Sequence, residues 1–418
     1  MSEATTARAL SVALATTLAL QSVASMAMVA PSVLAPAVAN ELGVAPQRIG
    51  VFVSAAYLGA MISGLVCGGL IGRYGVLRVC MLSGFVCAAG LCVGASGLLG
   101  VILAAAFAIG FGYGLVNPVS SHILVRATPP RMMSFVFSLK QTGVPIGGAI
   151  AGALVPPLLI AAGWRVTIVV LAIGCALVSL VIGVAGRAGF APATPESPPN
   201  TGTGAIGAPR LGGVLRRAFG GLGAPIRLIG ARAALRELAA VSFIYATMQL
   251  ALFTYLVSYL HLELGHSLVA AGLVFAAAQV AGIVGRIAWG WLADRGIPAR
   301  AMLGFLGVTM AASGIAAAVA AREWSTLALT LTSVVFGASA VGWNGIYLAE
   351  VARRAPAGEV GQATGGTQFF TFLGALLGPP AFGLIVSATG RYAWGYAAFA
   401  VLPLVIGVWL LASRGSRK

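Results

Sequence analysis

Gly68-Gly69-Leu70-Ile71-Gly72-Arg73-Tyr74-Gly75-Val76-Leu77-Arg78 returns later in the chain as Gly290-Trp291-Leu292-Ala293-Asp294-Arg295-Gly296-Ile297-Pro298-Ala299-Arg300. Each copy joins the end of one long apolar run to the start of the next. A chain that carries one basic hairpin per half reads as a duplicated helical bundle. The copies differ at one telling place: Asp294 precedes Arg295, whereas Gly72 precedes Arg73.

The apolar runs dominate the composition. Hydrophobic residues make up 59% of the 418 and charged residues 8%, which excludes a water-soluble globule. A spanning helix needs roughly 20 apolar residues. On that measure the sequence predicts roughly twelve spans, near 10 to 38, 48 to 70, 77 to 96, 99 to 125, 134 to 161, 164 to 186, 238 to 261, 267 to 291, 300 to 320, 326 to 349, 362 to 386 and 392 to 413. Met1 to Ala30 imitates a secretory signal, but the apolar run continues to Val38. That is too long for a cleavable segment, so it reads as a retained first span.

The net charge of +16 follows from topology, because loops rich in Lys and Arg stay cytoplasmic. With both termini inside, most arginines, Arg286 among them, fall at or near the cytoplasmic side. Arg48, Arg165, Arg322 and Arg391 fall outside. No nucleic-acid partner is needed to explain the charge, and the expected location is a bacterial-type inner membrane. Cys67, Cys80, Cys87, Cys92 and Cys175 all lie within spans, where thiols act as small apolar packers; no metal and no cofactor is expected.

Between Gly186 and Glu237 the apolar pattern stops, and the stretch Ala191 to Pro209 is rich in Pro, Gly, Ser and Thr, the composition of a linker. The division is therefore residues 1–186, 187–237 and 238–418: a six-helix bundle, a linker and a second bundle. The linker's later part, Leu211 to Arg236, mixes apolar residues with arginine and suits the anionic inner leaflet. Ordered pairs extend the duplication: Gln21 with Gln249, Asn117 with Asn344, Gln141 with Gln368, Arg126 with Arg353, and Gly163-Trp164-Arg165 with Gly390-Arg391-Tyr392.

The repeated loop, with Gly, a basic residue four or five places on and another five beyond, resembles the loop motif of the major facilitator superfamily. Gly143-Val144-Pro145-Ile146-Gly147-Gly148 is similar to that superfamily's span-5 antiporter motif. The resemblance implies an all-α polytopic membrane protein of 12 transmembrane helices in two pseudo-symmetric six-helix bundles, a secondary transporter working by alternating access. It further implies that spans 1, 4, 7 and 10 line a cavity and that Gly68, Arg73, Gly290, Asp294 and Arg295 form gating loops. A carboxylate at Asp294 would face the start of span 5 when the cytoplasmic side is closed. Among the family's branches the chain looks most like permeases for small organic or inorganic anions.

The polar residues within spans agree with this plan. Gln21, Asn117, Lys140, Gln141, Gln249, Gln279, Asn344 and Gln368 lie on spans 1, 4, 5, 7, 8, 10 and 11, and none lies within spans 3, 6, 9 or 12. Polar groups are costly in lipid and face a bundle interior or a cavity. Each amide is either a substrate contact or interhelical glue. Tyr245, one turn before Gln249, is a candidate aromatic wall. Lys140 is the single deep cation, and all nine acids lie in loops or at helix ends. A cation inside a bundle without a carboxylate favours an anionic substrate, unless the side chain snorkels to the headgroups. His122 is the one histidine placed to couple protons.

A small-molecule substrate, a lipid bilayer, a possible coupling ion and a monomeric state are the expected partners. A multidrug or metabolite efflux antiporter is the alternative within the same superfamily. A receptor or a membrane-embedded enzyme would need a large soluble domain or a catalytic cluster, and neither is evident in the sequence. The Gly-rich Lys-Ser/Thr loop of ATP-driven pumps is also missing.

Overall fold

The computed structural model describes residues 3–129, 132–189, 223, 225–356 and 359–413, and among these the regular structure is helical. Eleven stretches are long and apolar enough to cross a bilayer. One of them, Phe135–Gly186, divides at Gly163, where φ is 77°, into spans 5 and 6, so the twelve expected spans are present. Their helices are span 1, Glu3–Leu42; span 2, Ile49–Tyr74; span 3, Val76–Gly94; span 4, Leu99–Ala127; and spans 5 and 6, formed by Met133–Gln141 and Gly143–Gly189. The second half comprises span 7, Ala233–Ser258; span 8, Leu268–Asp294; span 9, Ala299–Val319; span 10, Thr326–Ala340 with Asn344–Arg354; span 11, Val360–Thr389; and span 12, Tyr392–Ala412.

The duplication is written into the turns. Gly75 (φ 81°) and Gly296 (φ 93°) reverse the chain at the two repeated loops, and Gly163 (77°) and Gly390 (72°) do so before spans 6 and 12. Backbone of that hand excludes most side chains. At the same end as the latter pair, each half closes itself with an acid. Glu41, ending span 1, accepts from Trp164 Nε1 and pairs with Arg165 at the start of span 6. Glu263, ending the helical continuation Tyr259–Glu263 of span 7, pairs with Arg391 at 3.3 Å and accepts from the Tyr392 backbone N–H at the start of span 12. Both acids are thus bound up in matching clamps, and their end is the Arg-poor one.

Spans 1–6 pack mainly with one another, as do spans 7–12; between the two sets the contacts run from span 2 to 11, 5 to 8 and 1 to 7. These cross-contacts are tightest towards the Arg-poor end. A Cβ on Gly50 would lie 2.3 Å from Tyr255 Oη and 2.5 Å from the Pro379 carbonyl, and one on Gly152 would lie 2.6 Å from the Gly272 carbonyl. Towards the other end, Gly64, Gly68, Gly69 and Gly72 on span 2, Gly290 on span 8, and Gly361 and Gly365 on span 11 have nothing within 4 Å of such an atom. The halves are closed together at the Arg-poor end and parted at the Arg-rich end.

Two expectations change. Span 10 is interrupted at residues 341–343 rather than continuous to 349. Gly342 packs its bare backbone against Trp289, 2.8 Å from where a Cβ would be, and Trp343 turns inward to complete burial. The linker lies largely outside the described residues. Its later part is helical over 225–231, with Ile229 buried against Gly366 of span 11 and Arg227 exposed, so it docks on protein as well as suiting a lipid surface.

Candidate substrate site

The site begins at a defect in span 5. A helical carbonyl normally accepts from the N–H four residues on, and for Gln141 that residue is Pro145, which has none. The helix accordingly ends at Gln141 and resumes at Gly143. The break leaves a carbonyl without an intrahelical partner at membrane depth, where it needs another donor. Arg286 of span 8 supplies it: Nη1 donates to the Gln141 carbonyl at 2.7 Å and Nε to the Val341 carbonyl at 2.9 Å. Val341 opens the interruption of span 10. One guanidinium therefore joins the broken backbone of span 5 in the first half to that of span 10 in the second.

Lys140 sits beside this junction. It is 2% exposed, and its Nζ donates to Asn117 Oδ1 of span 4, so it does not snorkel to a surface. Arg286 donates to the carbonyl of Gln141, the residue after Lys140, which brings a second cation beside it. The expectation of a single deep cation is thereby corrected. Arg286 precedes the end of span 8 by two helical turns, roughly 12 Å at 1.5 Å per residue, and its side chain reaches into the bundle, not out to the loop. Counting it with the cytoplasmic arginines hid it. The usable signal was its position in span 8, at a depth like that of Lys140 in span 5.

The amides divide unevenly between the halves. Gln249 accepts from Trp343 Nε1 at 3.1 Å and from Asn344 Nδ2 at 3.4 Å, whereas Asn117 is taken by Lys140. The paired asparagines thus hold different partners. Gln21 is fully buried against Gly143, its Nε2 3.4 Å from Ser25 Oγ and its Oε1 without a partner. Gln279, also fully buried, faces Gly148 across the span 5–span 8 contact with neither amide atom bonded. Gln368 is partly buried, and its side chain makes no hydrogen bond among the described residues.

Tyr245 is not a cavity wall in this state. It is fully buried, its hydroxyl donates to the Leu303 carbonyl of span 9, and its ring meets Trp343 edge-on at 5.7 Å. His122 is partly buried, and its Nδ1 lacks a partner; it makes no contact with the Lys140 cluster that the structure records. In the repeated loops Arg73 lies over Tyr74 and Arg295 over Trp291, at 5.5 and 3.3 Å, while Gly68 and Gly290 border open space. The Asp294 side chain lies outside the described residues. No cluster of three or more metal-ligating side chains occurs among the described residues.

Twelve spans around buried polar groups define a polytopic membrane protein. The sequence profile of the Major Facilitator Superfamily matches residues 17–374, and the chain belongs to that superfamily; it is a transporter and not an enzyme. Monocarboxylate transporter 11 of Mus musculus is 28% identical over 333 residues, 77% of this chain and 68% of that protein. The human Monocarboxylate transporter 11 is 27% identical over 340 residues, 77% of this chain and 65% of that protein, so this chain spans about two thirds of their length. A probable nitrate/nitrite transporter, NarK2 of Mycobacterium tuberculosis (strain ATCC 25618 / H37Rv), is 36% identical over 129 residues, 30% of this chain and 32% of that protein. Among solved structures, a bacterial homologue of the human lysosomal transporter Spinster, inward-facing and occupied, superposes with a TM-score of 0.71 at 14% identity, covering 96% of this chain and 94% of that one. That likeness concerns the fold.

Proposed function

We propose that this protein carries a small anion, a monocarboxylate or an inorganic anion of similar size, by alternating access, and that Arg286 and Lys140 bind it. The observation that carries the reading is the meeting of two cations from opposite halves, Arg286 being bonded to the carbonyl of the residue that follows buried Lys140, with every acid of the chain in a loop or near a helix end. An unpaired charge in a bundle interior is unfavourable, and two like charges together are more so. A bound anion relieves both. A carboxylate or nitrate presents parallel oxygens to a guanidinium fork, and Arg286 retains donors beyond the two it spends on carbonyls. The relatives named for monocarboxylates and for nitrate and nitrite agree with this charge.

The same geometry links binding to motion. An anion drawing Arg286 towards itself weakens the bond to Gln141, which is one of the ties between the halves. With both termini in the cytoplasm of a bacterial-type inner membrane, the state described is closed outside and open inside. Asp294 then acts in the opposite state, when the cytoplasmic ends meet.

Thermal unfolding of the purified protein against a panel of small anions and lipophilic cations tests the substrate class. A ligand binding only the native state adds about 2.7 kcal/mol at a hundredfold excess over its Kd. Stabilisation by acetate, lactate or nitrate is expected; stabilisation by lipophilic cations alone would replace this reading with that of a drug exporter.

A further inference from the structure

A cavity whose lining includes neither Lys140 nor Arg286 opens at the Arg-poor end and has a volume of about 730 Å³. Its walls come from span 1, the turn at residues 44–48, the adjoining ends of spans 2, 3, 4 and 6, and span 11 of the other half. The lining is apolar, and Val51, Leu99, Leu103 and Leu384 at its margin are exposed. In a chain whose spans lie in a bilayer, such side chains face lipid. Depth is informative. From Leu99 to Ile109 the lining runs ten residues along span 4, roughly 15 Å at 1.5 Å per residue, half of a hydrocarbon core of about 30 Å. The cavity therefore penetrates one leaflet. Its polar rim includes Arg48, which is exposed and whose side chain makes no hydrogen bond or ion pair among the described residues, its backbone N–H alone donating to the Ala45 carbonyl, whereas the side chains of Arg165, Arg322 and Arg391 at the same end are each engaged.

We propose that this cavity binds a phospholipid of the adjoining leaflet, its acyl chain in the apolar cleft and its phosphate at Arg48. Binding has a conformational consequence because both halves build the walls. Pro380, Gly383 and Leu384 of span 11 complete the cleft, and Gly383 approaches the Gln47 carbonyl and Tyr255 Oη only while this end is closed. Separation of the halves there divides the cavity, so lipid favours the state closed at the Arg-poor end. This holds whatever solute is carried.

The test uses the full chain in nanodiscs of equal dioleoyl phosphatidylglycerol and dioleoyl phosphatidylcholine, with co-purifying lipid counted by native mass spectrometry. Gly94 borders the cleft, and a Cβ there would meet nothing nearer than Ala105 Cβ at 3.5 Å, so Gly94→Phe fills the space with little strain. Wild type is expected to retain lipid with about a fivefold preference for the anionic species, the effect of one basic residue. Arg48→Ala should remove the preference and Gly94→Phe the retained lipid. Spin labels at Asn40 and Ala388, both exposed, report closure; phosphatidylglycerol should raise the closed population in wild type and leave it unchanged in Gly94→Phe. Equal retention by wild type and Gly94→Phe, or cross-linking that places a second copy of the chain over the cleft, overturns the proposal. An unaltered preference in Arg48→Ala overturns the assignment of the phosphate.

Discussion

Arg286 on span 8 donates to the carbonyl of Gln141 on span 5 at 2.7 Å, filling the place that Pro145 leaves vacant in the helical ladder. The two residues lie in different halves, so a local backbone defect has become a tie between bundles. A hydrogen bond to a charged group contributes about 1.5–3 kcal/mol. That is enough to bias a two-state transporter without locking it.

Pro145→Ala returns an N–H to span 5, and the Gln141 carbonyl then has an intrahelical donor. Arg286 is expected to lose this partner, and the closed population at the Arg-poor end to fall by about tenfold, the equivalent of about 1.4 kcal/mol. Distances between spin labels at Asn40 and Ala388 measure it. An unchanged distribution would show that Arg286 is not a tie.

Gly152→Leu acts on the same interface by volume. Its Cβ would stand 2.6 Å from the Gly272 carbonyl, a backbone atom that yields little. The variant should bind ligand yet turn over at least about tenfold more slowly, because the close approach of spans 5 and 8 is what a full cycle requires. Parallel binding and uptake assays separate the two effects, and normal uptake would mean that the spans need not meet so closely.

The paired clamps should matter for stability and not for transport. Glu41→Gln disturbs a pair whose partners are 49% and 45% exposed, and should lower the unfolding temperature only slightly because solvent screens the pair. Glu263 is 16% exposed and also receives the Tyr392 N–H, so Glu263→Gln should lower the unfolding temperature further. Both variants should retain uptake. Loss of coupled uptake in either, with stability intact, would identify a coupling acid that the geometry does not suggest.

The spans were legible because apolar length is a strong signal, and the repeated loop announced the two halves. Lys140 was legible as a cation without an acid. Arg286 was not, because charge counting treats an arginine near a helix end as a topology marker, and only its side-chain direction distinguishes a loop residue from an interior one. The interruption of span 10 was hidden for a related reason: Val341, Gly342 and Trp343 are acceptable in an apolar run, and the break arises from packing against Trp289 and Gln249. The symmetry between Asn117 and Asn344 was correct as sequence and misleading as chemistry, since Lys140 has no counterpart to give Asn344 the same partner.

Anion uptake into proteoliposomes by wild type, Lys140→Gln and Arg286→Gln tests the central claim most directly, with labelled acetate, lactate and nitrate as probes. Loss of one partner of a buried charge contact costs about 2–5 kcal/mol, so each variant should lose at least about tenfold in uptake while still inserting and folding. Uptake of any of these anions at wild-type rates by both variants would contradict the account.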